Sequence, residues 1–519
     1  MKTSCLLLTL LAAASSAFAD LRLASPFTDH MVLQREMKVP VWGTADAGAQ
    51  VTVEFAGQKK AGTAGADGRW RIALDPLAAS ATPQEFVVTA TDRESKTENQ
   101  KLNDVLVGEV WLASGQSNMA FPVSKARASY AGLLNEEQEI AAANFPQVRM
   151  FTARSTKTYE PQATVGGEWQ VCAPQTVPGF SAMGYLFGRD LHQALNVPVG
   201  IVTVAYGASC AEAWISREAL AADPKLKFML DSLDECVAYF RTPEAQRAGP
   251  APLHPTPINK PRAVNPRLTD PVQDQHFATV LFNGMLHPVI PFAIRGAIWY
   301  QGESICWGTK GLDLYGHVQQ VMIKDWRQRW GEGDFPFYLV QLPGQENISN
   351  NPRIREEQAA VLALPHTGMA VAIDTGEAKN VHPHNKAPVA DRLARLALAD
   401  VYGRKLEGRS PTFASLKIEG ASARVMFSHV DAGLGAKGGG DLKGFEIAGA
   451  DQKFYPAFAQ CEGDSVVVAA AEVPKPVAVR YAWFDYPEGV GCNLVAGDLP
   501  AAPFRTDTWD YPIAGIVEN

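Results

Sequence analysis

Apolar and polar positions along the chain change their rhythm twice. From Leu21 to about Gln100, short β-type runs alternate with turn residues, at Lys38 to Trp42, Gln50 to Phe55, Trp70 to Leu74 and Glu85 to Ala90. This spacing predicts a small β-sandwich over residues 20–103. Beyond Asn103 the runs become continuously apolar and are followed by amphipathic stretches, the pattern of buried parallel strands with helical crossovers. Five such runs each lead to a polar or glycine residue. They are Val105 to Leu112 leading to Ser117, Val199 to Tyr206 to Gly207, Ile294 to Tyr300 to Gln301, Phe335 to Val340 to Gln341, and Met369 to Ile373 to Asp374. Open α/β sheets bind ligands outside the carboxyl ends of their strands, so these five ends define one candidate site. Helical periodicity marks Met183 to Leu195, Leu314 to Trp330 and Pro388 to Val401. The Pro-rich stretch 223–274 reads as an insertion over the site edge, within a catalytic domain spanning 104–405. The β rhythm returns over 406–519, through Ser415 to Ile418, Ala423 to Phe427, Gly444 to Ile447, Ser465 to Ala470 and Val477 to Trp483, and predicts a second β module.

The length of 519 residues agrees with several units, because single cores stop growing at ~250 to 300 residues. A hydrophobic fraction of 46% and a charged fraction of 20% fit a globular chain. A net charge of -8 and a pI of about 5.8 lack the basic excess that nucleic acid requires, so no nucleic-acid partner is expected. The N-terminus carries Lys2, an apolar run from Cys5 to Ala14, and Ala17-Phe18-Ala19 before Asp20, which reads as a secretory signal peptide over 1–19. The run is short of the ~20 residues that span a bilayer, so an exported, periplasmic or secreted protein without a membrane span is expected. Of seven cysteines, Cys5 would leave with the signal, and Cys172, Cys210, Cys236, Cys306, Cys461 and Cys492 remain. They are sparse, no pair has metal-ligand spacing, and spacing assigns no disulfide.

Ser117 stands in Gly115-Gln116-Ser117-Asn118-Met119, directly after a buried strand. A serine hydroxyl becomes a nucleophile only when a base takes its proton, and the motif is not the G-x-S-x-G elbow of lipases. Taken alone it also fits an ordinary strand-to-helix turn. His382 and His384 are the histidines on the loop after the last strand, and no nearby cluster of Cys, Asp or Glu completes a metal site.

Ser117 has company at Gly207, in Gly296-Ala297-Ile298-Trp299-Tyr300-Gln301-Gly302-Glu303-Ser304 and in Val381-His382-Pro383. Together these blocks resemble the sialate O-acetylesterase family of the SGNH hydrolases. Phe282-Asn283-Gly284-Met285-Leu286-His287-Pro288, the segment Val477 to Trp483 and Pro503-Phe504-Arg505-Thr506-Asp507 extend the resemblance over nearly all of the chain beyond the signal. The resemblance implies a flavodoxin-like three-layer α/β/α hydrolase domain flanked by β modules. It implies removal of acetyl esters from carbohydrate through an acetyl-serine intermediate, with no metal or organic cofactor. It assigns Ser117 as nucleophile, His382 as base, and Gly207 and Gln301 as oxyanion-hole contributors. Asn118, Glu303 and Trp307 are candidate substrate contacts.

One position departs from the pattern. SGNH hydrolases usually carry an aspartate three residues before the histidine, and here that residue is Lys379. Asp374, Glu303 or a backbone carbonyl could orient the imidazole instead, and Asp374 is favoured because its strand leads into the His382 loop. The substrate could be an O-acetylated sialic acid or an acetylated plant polysaccharide such as xylan or xyloglucan. A sialate carboxylate calls for a basic partner, and the one Arg adjoining these blocks, Arg295, should lie a strand-length away. The rival reading is a carbohydrate-binding protein that has lost catalysis on the same scaffold. A lipase or thioesterase is disfavoured by the absence of a long apolar lid segment.

Overall fold

A computed structural model describes residues 21–252, 255, 257–258, 270–347 and 350–510; the signal peptide expected over 1–19 lies outside them. The organising element is the strand Thr97–Gly115, whose last eleven residues are all buried. Its first half pairs antiparallel with Ser80–Thr91 in the N-terminal β layer. Its second half pairs in parallel with Val199–Ala205 on one side and Gly296–Tyr300 on the other. The boundary expected at 103/104 therefore falls inside a continuous strand, and no flexible linker separates the two units. The catalytic sheet runs in the order Trp169–Cys172, Phe145–Thr152, Val199–Ala205, Thr97–Gly115, Gly296–Tyr300, Phe337–Val340, Thr367–Ala370. All neighbours are parallel except Trp169–Cys172, which is antiparallel to Phe145–Thr152.

Helices cover both faces. Ala182–Leu195 is capped by the Ser181 hydroxyl, which accepts from Gly184 N at 3.0 Å, and ends on left-handed Asn196. It lies so close to the sheet that a Cβ at Gly188 would stand 2.9 Å from Ile201 Cγ1. Ile201 is opposite Trp111 in register, and Trp111 meets Phe187 edge-on at 5.2 Å on this face. Ala387–Asp400 joins the same layer with Val389, Leu393 and Leu396 buried. Strand alternation turns Trp299 to the other side, where it meets Trp326 of the helix Gly308–Trp330 at 5.7 Å. The result is a three-layer α/β/α unit.

Glu109 pins the N-terminal unit to the sheet. Its carboxylate is fully buried between Arg35 at 2.5 Å and Arg295 at 2.8 Å, with Gln34 at 3.1 Å. Removing one partner of such a group costs ~3 to 5 kcal/mol. Arg295 is thus spent at the amino end of its strand, far from the carboxyl ends.

The stretch 223–274, expected as a Pro-rich insertion, carries regular structure at its start. It forms the helix Lys227–Arg241, with Met229, Leu230, Leu233 and Val237 buried at helical spacing. All of its prolines except Pro224 follow the helix. Beyond Asp400 a loop leads to two antiparallel four-stranded sheets, one built around Ser422–Ser428 and Ser465–Ala469, the other around Phe445–Ala448 and Ala478–Tyr481. This C-terminal module braces the site edge. Arg355 donates to Phe484 O at 2.7 Å, and Glu488 Oε1 accepts from the Gly376 N–H in the loop that follows the last strand.

Candidate active site

Register brings three strand ends together. Gly115 is opposite Ala205 and Tyr300, so Gln116-Ser117, Tyr206-Gly207 and Gln301 all leave the sheet at one edge. Gly115 has φ +139, and a Cβ there would fall 2.1 Å from the Tyr300 carbonyl oxygen, so only glycine makes this turn. The short helix Ser117–Ala120 begins at once. Ser117 Oγ lies 2.7 Å from His382 Nε2, the separation a general base needs.

His382 is held by its loop. Asn380 Oδ1 accepts from His382 N at 3.0 Å, and Asn380 Nδ2 donates to His382 O and Glu377 Oε2, both at 2.9 Å. The Tyr130 ring covers the imidazole at 4.6 Å. His384 is engaged elsewhere: Glu377 Oε1 accepts its backbone N–H at 2.7 Å and lies 2.9 Å from its Nδ1.

The third member expected at Asp374 is a correction. Its carboxylate forms a two-pronged pair with Arg392 at 2.7 and 2.8 Å and meets Lys437 of the C-terminal module at 3.0 Å. Burial opposes its ionisation, but Arg392 and Lys437 outweigh this and hold the carboxyl below the usual range. Glu303 does not reach His382 either; its Oε1 accepts from Asn118 Nδ2 at 2.5 Å. Lys379 is exposed. Among the described residues no carboxylate is hydrogen-bonded to the His382 imidazole. Burial, then the charges of Lys386 and His384, lower the His382 pKa to about 4. The imidazole is neutral at ordinary pH, with a lone pair for the Ser117 proton.

Three further assignments change. Gln301 is fully buried, and its Nε2 is spent on Ser209 O and Ser304 O at 3.0 Å and on Gln116 Oε1 at 3.2 Å, while Tyr315 donates to its Oε1 at 2.5 Å. It ties loops together and does not face the reacting oxygen. This network instead orients Gln116, whose Oε1 is taken by Gln301 and which lines the pocket beside Ser117. Gly207 stays beside the nucleophile: a Cβ there would stand 3.6 Å from Ser117 Cβ. Neither the Ser117 nor the Gly207 N–H donates to another described residue.

Asn118 is not a substrate contact in this geometry. It is fully buried, donates to Glu303 and to Val381 O at 2.9 Å, and accepts from Lys386 Nζ at 2.5 Å. Lys386 is the group that sequence reasoning missed. It is 1% exposed and lies over the rings of Phe121 and Tyr300 at 4.6 and 5.2 Å, and burial, opposed in part by Glu303 and Glu377, lowers its pKa to about 7. A lysine four residues after the histidine, just ahead of a helix, carries no signal of burial in one sequence. Trp307 lies off the pocket wall; its indole donates to Glu212 at 3.2 Å and its ring meets Phe228 at 5.4 Å.

The pocket above Ser117 has a volume of about 350 Å³. Gln116, Ala208, Glu303 and His382 contribute to its wall, and no Lys or Arg lines it among the described residues. No helix among the described residues is long and apolar enough to cross a membrane.

Residues 281–400 match the family described as "Carbohydrate esterase, sialic acid-specific acetylesterase". Sialate O-acetylesterase of Mus musculus is 30% identical, over 94% of this chain and 95% of that protein. The chain belongs to the sialate O-acetylesterase family. The Homo sapiens sialate O-acetylesterase is 29% identical over 94% of this chain and 93% of its own length. Among solved structures, a carbohydrate acetylesterase from Xanthomonas citri shares 34% identity with a TM-score of 0.78, covering 94% of this chain and all of that one. The catalytic unit is accordingly an SGNH-type hydrolase domain, and the chain is a carboxylic ester hydrolase.

Proposed function

We propose that Ser117 and His382 carry the carbohydrate O-acetylesterase activity of this family, working as a dyad on a neutral acetylated sugar. The observation that carries this is the 2.7 Å contact between Ser117 Oγ and His382 Nε2 at the pocket. His382 Nε2 takes the hydroxyl proton as Ser117 Oγ attacks the acetyl carbonyl. The oxyanion is held by the N–H groups of Ser117 and Gly207 and by the Gln116 amide, in place of Gln301; one such donor typically contributes ~3 to 4 kcal/mol. His382 then protonates the leaving sugar oxygen, and water repeats the sequence on the acetyl-Ser117 ester, releasing acetate.

A neutral substrate is favoured because the described residues of the wall offer the Glu303 carboxyl and no cation, while Arg295 is bound to Glu109 a strand-length away. A sialate carboxylate desolvated there would lack a partner. The signal-like residues 1–19 support an exported enzyme whose mature chain begins at Asp20, which N-terminal sequencing of the mature protein tests. For the activity, acetate release is compared between acetylated xylo- or xyloglucan oligosaccharides and an O-acetylated sialic acid. Higher kcat/KM on the neutral sugars is expected, and the opposite order overturns the substrate reading. Ser117→Ala is expected to abolish release with folding intact; retention of most activity overturns the mechanism.

A further inference from the structure

Two of the cysteines that spacing left unassigned meet next to the site. Cys210 Sγ and Cys306 Sγ are 2.8 Å apart, and the two residues are 0% and 1% exposed. We propose that they form a disulfide that staples together the two loops framing the pocket. Cys210 lies three residues after Gly207, and Cys306 three residues after Glu303. Between them Gln301 already bridges the same loops through Ser209 O and Ser304 O. The crosslink adds a covalent tie between partners 96 residues apart in the chain, and that closed loop contains the helix Lys227–Arg241. Ala208 and Ser304, one on each loop, both line the pocket, so the tie fixes its width.

Glu212 also approaches this pair, and its carboxylate could join two thiolates around a metal ion. The sulfur separation argues against that. Two thiolates on one tetrahedral metal stand ~3.8 Å apart, given a metal–sulfur distance of ~2.3 Å. At 2.8 Å the sulfurs lie between that spacing and the ~2.05 Å of a bond. Glu212 is moreover engaged by the Trp307 indole at 3.2 Å.

The oxidant is a low-molecular-weight disulfide. One cysteine thiolate attacks it, forming a mixed disulfide and expelling one thiol. The second cysteine thiolate then attacks the mixed disulfide at the protein sulfur and expels the other. Two cysteine thiols lose two protons and two electrons, and one external disulfide becomes two thiols. Because both sulfurs are buried, the exchange belongs to folding, and the finished bond is sheltered from reductant in the native state.

The test uses the full chain beginning at Asp20, reduced in denaturant and refolded with oxidised glutathione, then digested without reduction after alkylation in denaturant. The expected product is a peptide pair joining Cys210 to Cys306, two hydrogens lighter than the separate thiols and released by reductant. It should survive treatment of the native protein with dithiothreitol. Recovery of both cysteines as alkylated thiols overturns the proposal, as does a stoichiometric metal ion bound to the refolded protein. Replacing both, Cys210→Ala with Cys306→Ala, is expected to lower Tm by roughly 5 to 10 °C. An unchanged Tm overturns the stapling role, and if the double variant fails to fold, the peptide map of the parent chain decides. None of these measurements depends on esterase activity.

Discussion

Lys386→Met should move the acid limb of the pH profile to higher pH. In the native site the His382 pKa is about 4, lowered first by burial, then by Lys386, then by His384. Lys386 is fully buried, hydrogen-bonded to Asn118 and flanked by the Phe121 and Tyr300 rings, with Glu303 and Glu377 opposing its loss of charge. Methionine keeps the length and apolar contacts of the stem and deletes the charge. The imidazole then binds a proton more readily, so the limb rises toward 6.5 without reaching it, since burial persists. The kcat/KM profile of the free enzyme reports this limb. At pH 5 a base with pKa about 4 is roughly nine-tenths neutral, and a one-unit rise would leave it about half neutral. A second signature comes from Lys386 itself, whose pKa is about 7. As it deprotonates, the imidazolium formed in the transition state loses a like charge, so native kcat should climb through pH 7, and this climb should vanish in Lys386→Met. Both readouts are positions on the pH axis, so a general loss of rate from a disturbed Asn118 does not mimic them. An unmoved or lowered acid limb with folding intact would refute the assignment of Lys386 as the charge that tunes the base.

His382→Ala should reduce turnover by several orders of magnitude, while His384→Ala, whose ring meets Glu377, should stay within about tenfold, or ~1.4 kcal/mol; the reverse ranking in steady-state assays would show the wrong histidine was chosen. Asp374→Asn should leave turnover within about tenfold yet cost about 3 kcal/mol in denaturant unfolding, because Arg392 is left buried and poorly paired; a ~10⁴-fold loss of turnover with unchanged stability would restore Asp374 as the orienting group. Gly207→Ala should lower kcat at least tenfold with little change in Tm, since the added methyl meets only Ser117 Cβ at 3.6 Å and stands where the acetyl oxygen must approach. Unchanged kcat would remove Gly207 from the oxyanion site.

The parallel sheet was legible because strands buried on both faces must be apolar throughout, and Val105 to Leu112, Val199 to Tyr206 and Ile294 to Tyr300 announce themselves in this way. Their common carboxyl edge follows from topology, so Ser117 and Gly207 could be brought together before any geometry was known. Direction of side chains was not legible. Gln301 leaves its strand at the right edge, but Tyr315, Ser209 and Ser304 decide where its amide points, and Ser209 lies 92 residues away in the chain. The helix Lys227–Arg241 was hidden for a simpler reason: the proline count of the whole stretch outweighed a local period at Met229, Leu230, Leu233 and Val237.

Asp374 shows the limit most clearly: the last strand ends at Ala370, Asp374 lies in the turn beyond it, and its partner was not legible. A carboxylate at a strand end will pair with the nearest cations that folding supplies. Here one comes from the next helix as Arg392, and the other as Lys437 from a β module 63 residues further on. Once both are present the imidazole cannot compete, because moving the carboxylate to His382 would leave Arg392, 5% exposed, without its counter-charge. With Lys379 exposed and Lys386 buried nearby, the charge that acts most on the base is a cation where a triad places an anion. Such a base is weak and stays unprotonated well below neutral pH, so the proposed dyad is expected to keep activity in acid at the expense of stabilising its own imidazolium. The activity at pH 5 relative to pH 7 therefore separates this dyad from an aspartate-held triad more directly than any single substitution does.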